Sequence, residues 1–252
     1  DYIAKFADCF PAYPEDNLVF SRIGVSQNIF RPKGTTIAGD LPAHIREEDK
    51  ERFASSGIKR LVAFVGKFAD WKRLDVMLYA AELYESKFDD LGTIVVGSGP
   101  PDAVAHYEGL AKKLGLKRTF FVGAKGQDVL ADIFSMSEVG VFPSYKEPFG
   151  MVFIECMACG TPVIGAKSGG PTEFVTDDVG TLIPEEEGWR SEEGARRLGE
   201  RLGNMVSLAM TANWKGLSKG KNCVPFVKAN YSTVAQCEGM LQNMKDWSAG
   251  GA

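Results

Sequence analysis

The chain has 252 residues, 44% of them hydrophobic, 25% charged and 11% aromatic. This suits one large globular domain or two small ones, and excludes a disordered, collagen-like or disulfide-scaffold chain. With 29 Lys and Arg against 33 Asp and Glu, the formal net charge is −4. That balance argues against broad nucleic-acid binding, yet a few lysines in one cleft suffice for a small anion site.

Residues 1–60 hold one strand signal, Leu18–Ile23, then a loop with Pro32, Gly34, Gly39 and Pro42. The charged stretch His44–Phe53 predicts a short surface helix. From residue 60 onward, short apolar runs alternate with amphipathic stretches. The runs are Leu61–Val65, Thr93–Gly97, Thr119–Val122, Val139–Pro143, Pro162–Gly165 and Thr181–Ile183. Each lacks alternation, as expected of strands buried on both faces. Helices are predicted over 72–88, 102–115, 126–136, 149–159 and 171–176, with Leu74, Leu78, Ala81 and Leu83 at helical spacing in the first. Beyond the acidic Glu185–Glu187 loop, helices are expected near 191–210 and 226–247. Repeated β–α units imply an α/β fold with a doubly wound, Rossmann-like parallel sheet. No apolar run approaches the ~18 residues of a membrane span, and residues 1–12 carry no secretory pattern.

Five cysteines, Cys9, Cys156, Cys159, Cys223 and Cys237, are an odd number at irregular spacing, which indicates a reducing compartment and a cytoplasmic protein. The Cys156-x-x-Cys159 pair has no second pair or nearby histidine and reads as two inert thiols. The two histidines, His44 and His106, are far apart, so no zinc site is expected. No Asp-x-Asp triplet occurs, and no Mg²⁺ or Mn²⁺ is expected to be required.

In open α/β sheets, ligands bind beyond the carboxyl ends of the strands. The loops 66–72, 97–101, 123–127, 144–150 and 166–170 are therefore the place for a site. Lys67 and Lys72 follow Gly66 and flank a turn before a helix, a pair able to clamp a diphosphate. On their own they read better as a solvated basic loop. Glu147 and Glu155 are eight residues apart. A helix beginning near Phe149 carries Glu155 ~9 Å along its axis, comparable to the diphosphate separating the two sugars of a nucleotide sugar. First-turn amides would face that diphosphate. Spacing alone does not distinguish this from two ordinary surface acids. Gly97-Ser98-Gly99 lacks the third glycine of a dinucleotide fingerprint.

The ordered set of motifs is more specific. Glu147-Pro148-Phe149-Gly150…Glu155, followed by Met157-Ala158-Cys159-Gly160-Thr161-Pro162, resembles the E-x7-E signature of retaining glycosyltransferases of the GT-B fold, family 4, the former group 1. Gly66-Lys67 with Lys72 resembles that family's G-[RK]-x4-K clamp, and Val96-Gly97-Ser98-Gly99-Pro100 its V-G-x-G-P loop. Gly24-Val25…Phe30-Arg31-Pro32 is similar to its G-V-D…F-x-P opening, and Ser168-Gly169-Gly170-Pro171…Glu173 to its glycine-rich loop. The resemblance covers residues 24–184. It implies that Lys67 and Lys72 stabilise a diphosphate leaving group. It implies that Glu147 binds sugar hydroxyls with amides at Phe149, Gly150 and Met151, and that Glu155 binds the ribose. Gly97, Ser98, Gly99 and Pro100, with the 123–127 loop, would line the base side, and Gly66 would also bind the nucleotide. Two departures stand out. Lys67 occupies a position where arginine is common, losing bidentate phosphate contact, and Ser26 replaces the usual Asp.

The resemblance implies a UDP- or GDP-sugar donor, no further cofactor, and same-face displacement without a covalent nucleophile. It implies a C-terminal, donor-binding half of a GT-B enzyme: residues 1–23 as a segment from a preceding domain, 24–225 as the nucleotide-sugar domain, and 226–252 as a helix packing toward an N-terminal acceptor domain of the same protein. Membrane contact would come only through that other domain. A non-catalytic nucleotide-sugar-binding module and a GT-B-type epimerase are the rival readings.

Overall fold

The structure, a computed structural model, describes residues 23–250. The strand expected at Leu18–Ile23 falls, except for Ile23, outside the described residues, as does Cys9. The core is one parallel sheet of β1 (Arg60–Val65), β2 (Leu91–Val96), β3 (Thr119–Gly123), β4 (Val139–Phe142), β5 (Val163–Ala166) and β6 (Gly180–Ile183), in the order β3-β2-β1-β4-β5-β6. All neighbouring pairs are parallel. This is the doubly wound arrangement expected from the alternating apolar runs.

The helices are α1 (Lys50–Ala54), α2 (Leu74–Lys87), α3 (Pro101–Lys113), α4 (Gln127–Met136), α5 (Met151–Ala158), α6 (Glu192–Thr211), α7 (Trp214–Leu217), α8 (Lys219–Asn230) and α9 (Thr233–Gly250). They cover two cores, one on each face of the sheet. Leu61 and Ala63 join Ile94, Phe120, Phe134, Phe153 and Ile154 in one core. Val62 and Phe64, alternating with them along the same strand, join Val95, Phe121, Leu74, Leu78 and Leu198 in the other. The two-residue period of a strand explains why β1 reads as an uninterrupted apolar run.

Three elements differ from expectation. The His44–Phe53 stretch is divided: a 3-10 turn at Glu47–Asp49 precedes the five-residue α1. Residues 171–176 make only a 3-10 turn, Gly170–Glu173, because two glycines and Pro171 supply a turn rather than helix-forming residues. Residues 226–247 are the last turn of α8 and most of α9, with a break at Tyr231–Ser232. There the backbone is taken by Val25, whose N–H donates to the Tyr231 carbonyl and whose carbonyl accepts from Thr233 N–H. Tyr231 lies in a ring cluster with Phe149, Phe174 and Phe226.

Both edges of the sheet are occupied by cations. Beside β3, the Arg52 guanidinium donates to the carbonyls of Lys117 and Thr119 and lies 3.9 Å from the centre of the Phe120 ring. Beside β6, Lys219 Nζ donates to the carbonyls of Asp177 and Gly180.

Where β2 leaves the sheet, Gly97 takes φ 152°, and a Cβ there would lie 1.8 Å from the Gly66 carbonyl oxygen. Only glycine lets the β1 and β2 exits approach this closely. Gly97→Ala should therefore destabilise the chain by about 2 kcal/mol or more, read as a lower midpoint in thermal denaturation.

Candidate functional site

Strands β1 and β4 are neighbours in the sheet, yet the chain continues from β1 to β2 on one side and from β4 to β5 on the other. Their carboxyl ends form the switch point at which such sheets open a crevice. Loop 66–72 leaves β1 and loop 143–150 leaves β4. The two are joined by Tyr145 N–H donating to the Trp71 carbonyl at 2.7 Å. The loop after β2 is tied to the first by Phe68 N–H donating to the Ser98 carbonyl at 2.9 Å. A Cβ on Gly99 would meet Phe68 Cβ at 2.8 Å, so this contact requires glycine's bare backbone. Gly66, Lys67, Lys72, Gly97, Ser98 and Gly99 are thus brought together with Glu147 and the start of α5.

At the centre, Lys72 Nζ donates to Glu147 Oε2 at 2.6 Å, with side chains only 18% and 11% exposed. Neither residue's motif indicated that the two would pair. Lys72 ends a 3-10 turn, Asp70–Lys72, that projects from the β1 exit. Glu147 is fixed from below by the glycine-rich loop. Its carbonyl accepts from Gly170 N–H at 2.7 Å, it forms a parallel bridge with Gly169, and the preceding amide, Lys146 N–H, donates to Ser168 Oγ at 2.8 Å. Gly169 has φ 76°, and a Cβ on it would stand 2.2 Å from the Glu147 carbonyl oxygen. Ser168 is therefore a support for Glu147, and its hydroxyl's role is visible only once the loops are folded together.

Gly150 caps α5 in a left-handed conformation, and no side chain caps that terminus. The first-turn amides beyond Phe149 and Gly150, beginning at Met151, are the kind of donor set that receives an anion. Glu155 lies on α5, and its carboxylate has no hydrogen bond or ion pair among the described residues. Burial pushes its carboxyl above the ordinary value of 4.5. Lys67 is exposed at the rim.

Sequence reasoning missed a second ion pair beneath the first. Arg73, directly after Lys72, is fully buried and has φ 54°. Its guanidinium donates to both Glu185 oxygens at 2.5 and 3.2 Å and to the Pro143 carbonyl at 3.3 Å, and lies 4.2 Å from the Trp189 ring centre. The acidic run Glu185–Glu187 was the one available signal, but the partners are 112 residues apart.

Burial pushes the Cys159 thiol up to about 12 and the Cys156 thiol well above the usual range, so both are held as thiols. Among the described residues no group of three or more His, Cys, Asp or Glu side chains is placed to hold a metal ion, and no helix is long and apolar enough to cross a membrane.

The model of the glycosyl transferases group 1 family matches residues 45–199, more than half of the chain and all the loops just described. The chain belongs to this family. A D-inositol 3-phosphate glycosyltransferase of Mycobacteroides abscessus is 33% identical over 185 residues, covering 71% of this chain and 38% of that protein. The match therefore spans well under half the length of that relative. Among solved structures, Alr3699/HepE of Anabaena in complex with UDP superposes with a TM-score of 0.72 at 19% identity, over 96% of this chain and 61% of that one. The C-terminal domain of the group 1 protein LpcC from Francisella tularensis superposes with a TM-score of 0.65 at 20% identity, over 83% of this chain and 100% of that one. At these identities the likeness establishes the shared glycosyltransferase fold.

The unpartnered carboxylate of Glu155 has a measurable signature. A folded-state value above 4.5 means that the native protein holds this proton longer than the unfolded chain does. Its contribution to stability is then full below 4.5 and is lost as pH rises through the folded value. Glu155→Gln should raise the urea midpoint at pH 7, and the gain should shrink as the pH is lowered through the folded value toward 4.5.

Proposed function

We propose that this chain is the donor-binding half of a retaining glycosyltransferase that uses a nucleoside diphosphate sugar, with UDP-sugar the first donor to test. The observation that carries the reading is the Lys72–Glu147 pair at the switch point, beside the uncapped N-terminus of α5 and ahead of the unpartnered Glu155. An ammonium has three donors. Glu147 takes one, leaving two on Lys72 for phosphate oxygens. Glu147 Oε1 has no partner among the described residues and is available to sugar hydroxyls. The pair thus places a phosphate-binding cation and a hydroxyl-binding anion side by side, as required at the bond between a sugar and its diphosphate.

In this mechanism Lys72, with Lys67 at the rim, stabilises the charge that develops on the departing diphosphate. The amides around Phe149, Gly150 and Met151 add donors that are already oriented. Glu147 holds the sugar ring while the anomeric centre becomes oxocarbenium-like, and Glu155 accepts from the ribose. Gly66 and the Gly97-Ser98-Gly99 loop allow the nucleotide to approach the backbone. The acceptor attacks on the face the diphosphate leaves, so no covalent nucleophile is required. The UDP complex of the Anabaena structure supports a uridine nucleotide.

The acceptor site is assigned to a separate N-terminal domain. The group 1 relative is much longer than this chain. In addition α9 carries exposed Val234, Met240, Leu241, Met244 and Trp247, from 44% to 71% exposed. Spacings of three, four and seven residues put several of these on one helical face. That face suits a domain packed across it. By itself the chain should bind donor and transfer sugar negligibly, since positioning of the acceptor supplies about 7–11 kcal/mol of such a barrier. Robust transfer by the 252-residue chain alone would refute this assignment.

Two substitutions test the site by calorimetric titration. Lys72→Ala should weaken UDP binding about ten- to a hundredfold while leaving uridine unchanged, from loss of one charge-assisted bond of about 1.5–3 kcal/mol. Equal losses for UDP and uridine would show that Lys72 does not act at the phosphates. Glu155→Ala should abolish the preference for UDP over 2′-deoxy-UDP, and an unchanged preference would remove Glu155 from the ribose.

A further inference from the structure

We infer that Arg73 is a positioning residue of the donor site: with Glu185 and Trp189 it forms a buried clamp that aims Lys72 at the diphosphate. The inference rests on the donor-site reading above. Three non-glycine residues among those described have positive φ: Arg73 at 54°, Lys146 at 48° and Asn213 at 45°. Two of them flank the central ion pair. Arg73 immediately follows Lys72, and Lys146 immediately precedes Glu147. Such backbone is uncommon for residues with a side chain and persists where surrounding contacts over-determine it. For Lys146 the contact is the bond from its amide to Ser168 Oγ. For Arg73 it is the guanidinium.

That guanidinium joins three loops. It belongs to the loop after β1, bonds the Pro143 carbonyl at the exit of β4, and takes both oxygens of Glu185 in the loop after β6. One face lies against Trp189, whose ring is 5.2 Å from that of Tyr145, and Tyr145 N–H in turn holds the Trp71 carbonyl. The closed circuit runs from Arg73 through Trp189 and Tyr145 to Trp71, the residue before Lys72. A planar fork with fixed donors suits this task, and an ammonium at the same place would not span it. The arrangement leaves Arg73 Nε buried without a hydrogen-bond partner, and the Arg73 side chain has no exposure at all. Arg73 does not touch the open face of the site, so its effect on a ligand passes through Lys72.

The loop after β6 thereby becomes part of the donor site without lining it. Shifting that loop should misdirect the diphosphate-binding cation while leaving the nucleoside side, built on the loops after β2 and β3, intact. The test uses Arg73→Gly, which removes the clamp where glycine accepts the backbone, and Glu185→Gln, which keeps the shape of a side chain that is 30% exposed. Each variant is checked for native circular dichroism and then read in two ways. Calorimetry should show UDP affinity reduced about tenfold or more with uridine affinity unchanged, as for loss of a phosphate-directed charge. Brief acetic anhydride labelling with peptide mass spectrometry should show Lys72 modified more slowly than exposed Lys67 in the parent chain. In both variants labelling of Lys72 should rise severalfold while that of Lys67 stays constant. A folded variant with unchanged UDP affinity and unchanged Lys72 labelling overturns the inference. So do equal losses for UDP and uridine without a labelling change, since they mark a role in stability alone. If the parent chain binds no UDP yet Lys72 labelling rises in the variants, the clamp stands and the donor reading falls.

Discussion

Strands β1 and β4 pair over Val62–Val139 and Ala63–Gly140, and past those residues the chain leaves them toward opposite sides of the sheet. That divergence is the constraint on which the site depends. It opens a crevice onto which the β1 and β4 loops converge, and it brings together Lys72 and Glu147, 75 residues apart. The remaining features follow from making those loops meet. Glycines at 97, 99 and 169 allow backbone to pass close to backbone, and bonds from Tyr145, Phe68 and Gly170 amides tie the loops to one another. A pleated sheet buried on both faces supplies the rigid floor, because each strand feeds alternate residues to two separate cores.

The local pattern of the chain made much of this legible. Six apolar runs without alternation became six parallel strands, since burial on both faces leaves no polar face to mark a strand edge. The motif residues Gly66, Lys72, Gly97, Glu147 and Gly150 are gathered at one end of the sheet as their strand-end positions implied. What stayed hidden was set by contacts between distant segments. The break between α8 and α9 depends on Val25 bonding the backbone around residues 231–233, and no local residue preference announces it. The pairing of Lys72 with Glu147 follows from strand order, and that of Arg73 with Glu185 from the loops that order brings together. The role of Ser168 depends on the left-handed turn at Lys146, which sequence alone would not assign to a lysine.

The site also concentrates features that work against stability. Glu155 is pushed toward its neutral form by burial with nothing paired to it, Arg73 is wholly desolvated with one nitrogen unmatched, and two left-handed residues adjoin the central pair. Outside it, Arg201 Nε is the other buried side-chain nitrogen without a partner among the described residues, and the rest are paired. Lys215 Nζ, for instance, reaches the Ser135 and Ser137 carbonyls at the end of α4 at 2.6 and 2.5 Å. The clustering of several such conflicts around one crevice marks where the shape serves something other than folding.

The cations at the two sheet edges bear on how this domain coexists with copies of itself. An open parallel sheet ends in two rows of backbone groups that could accept another strand. Here Arg52 takes the carbonyls of Lys117 and Thr119 on one margin, and Lys219 takes those of Asp177 and Gly180 on the other. An incoming strand would have to displace a charged side chain from carbonyls it already satisfies, and then leave that charge without its acceptors. Each margin is thus guarded by a charged side chain at the amino end of its edge strand, the end opposite the crevice.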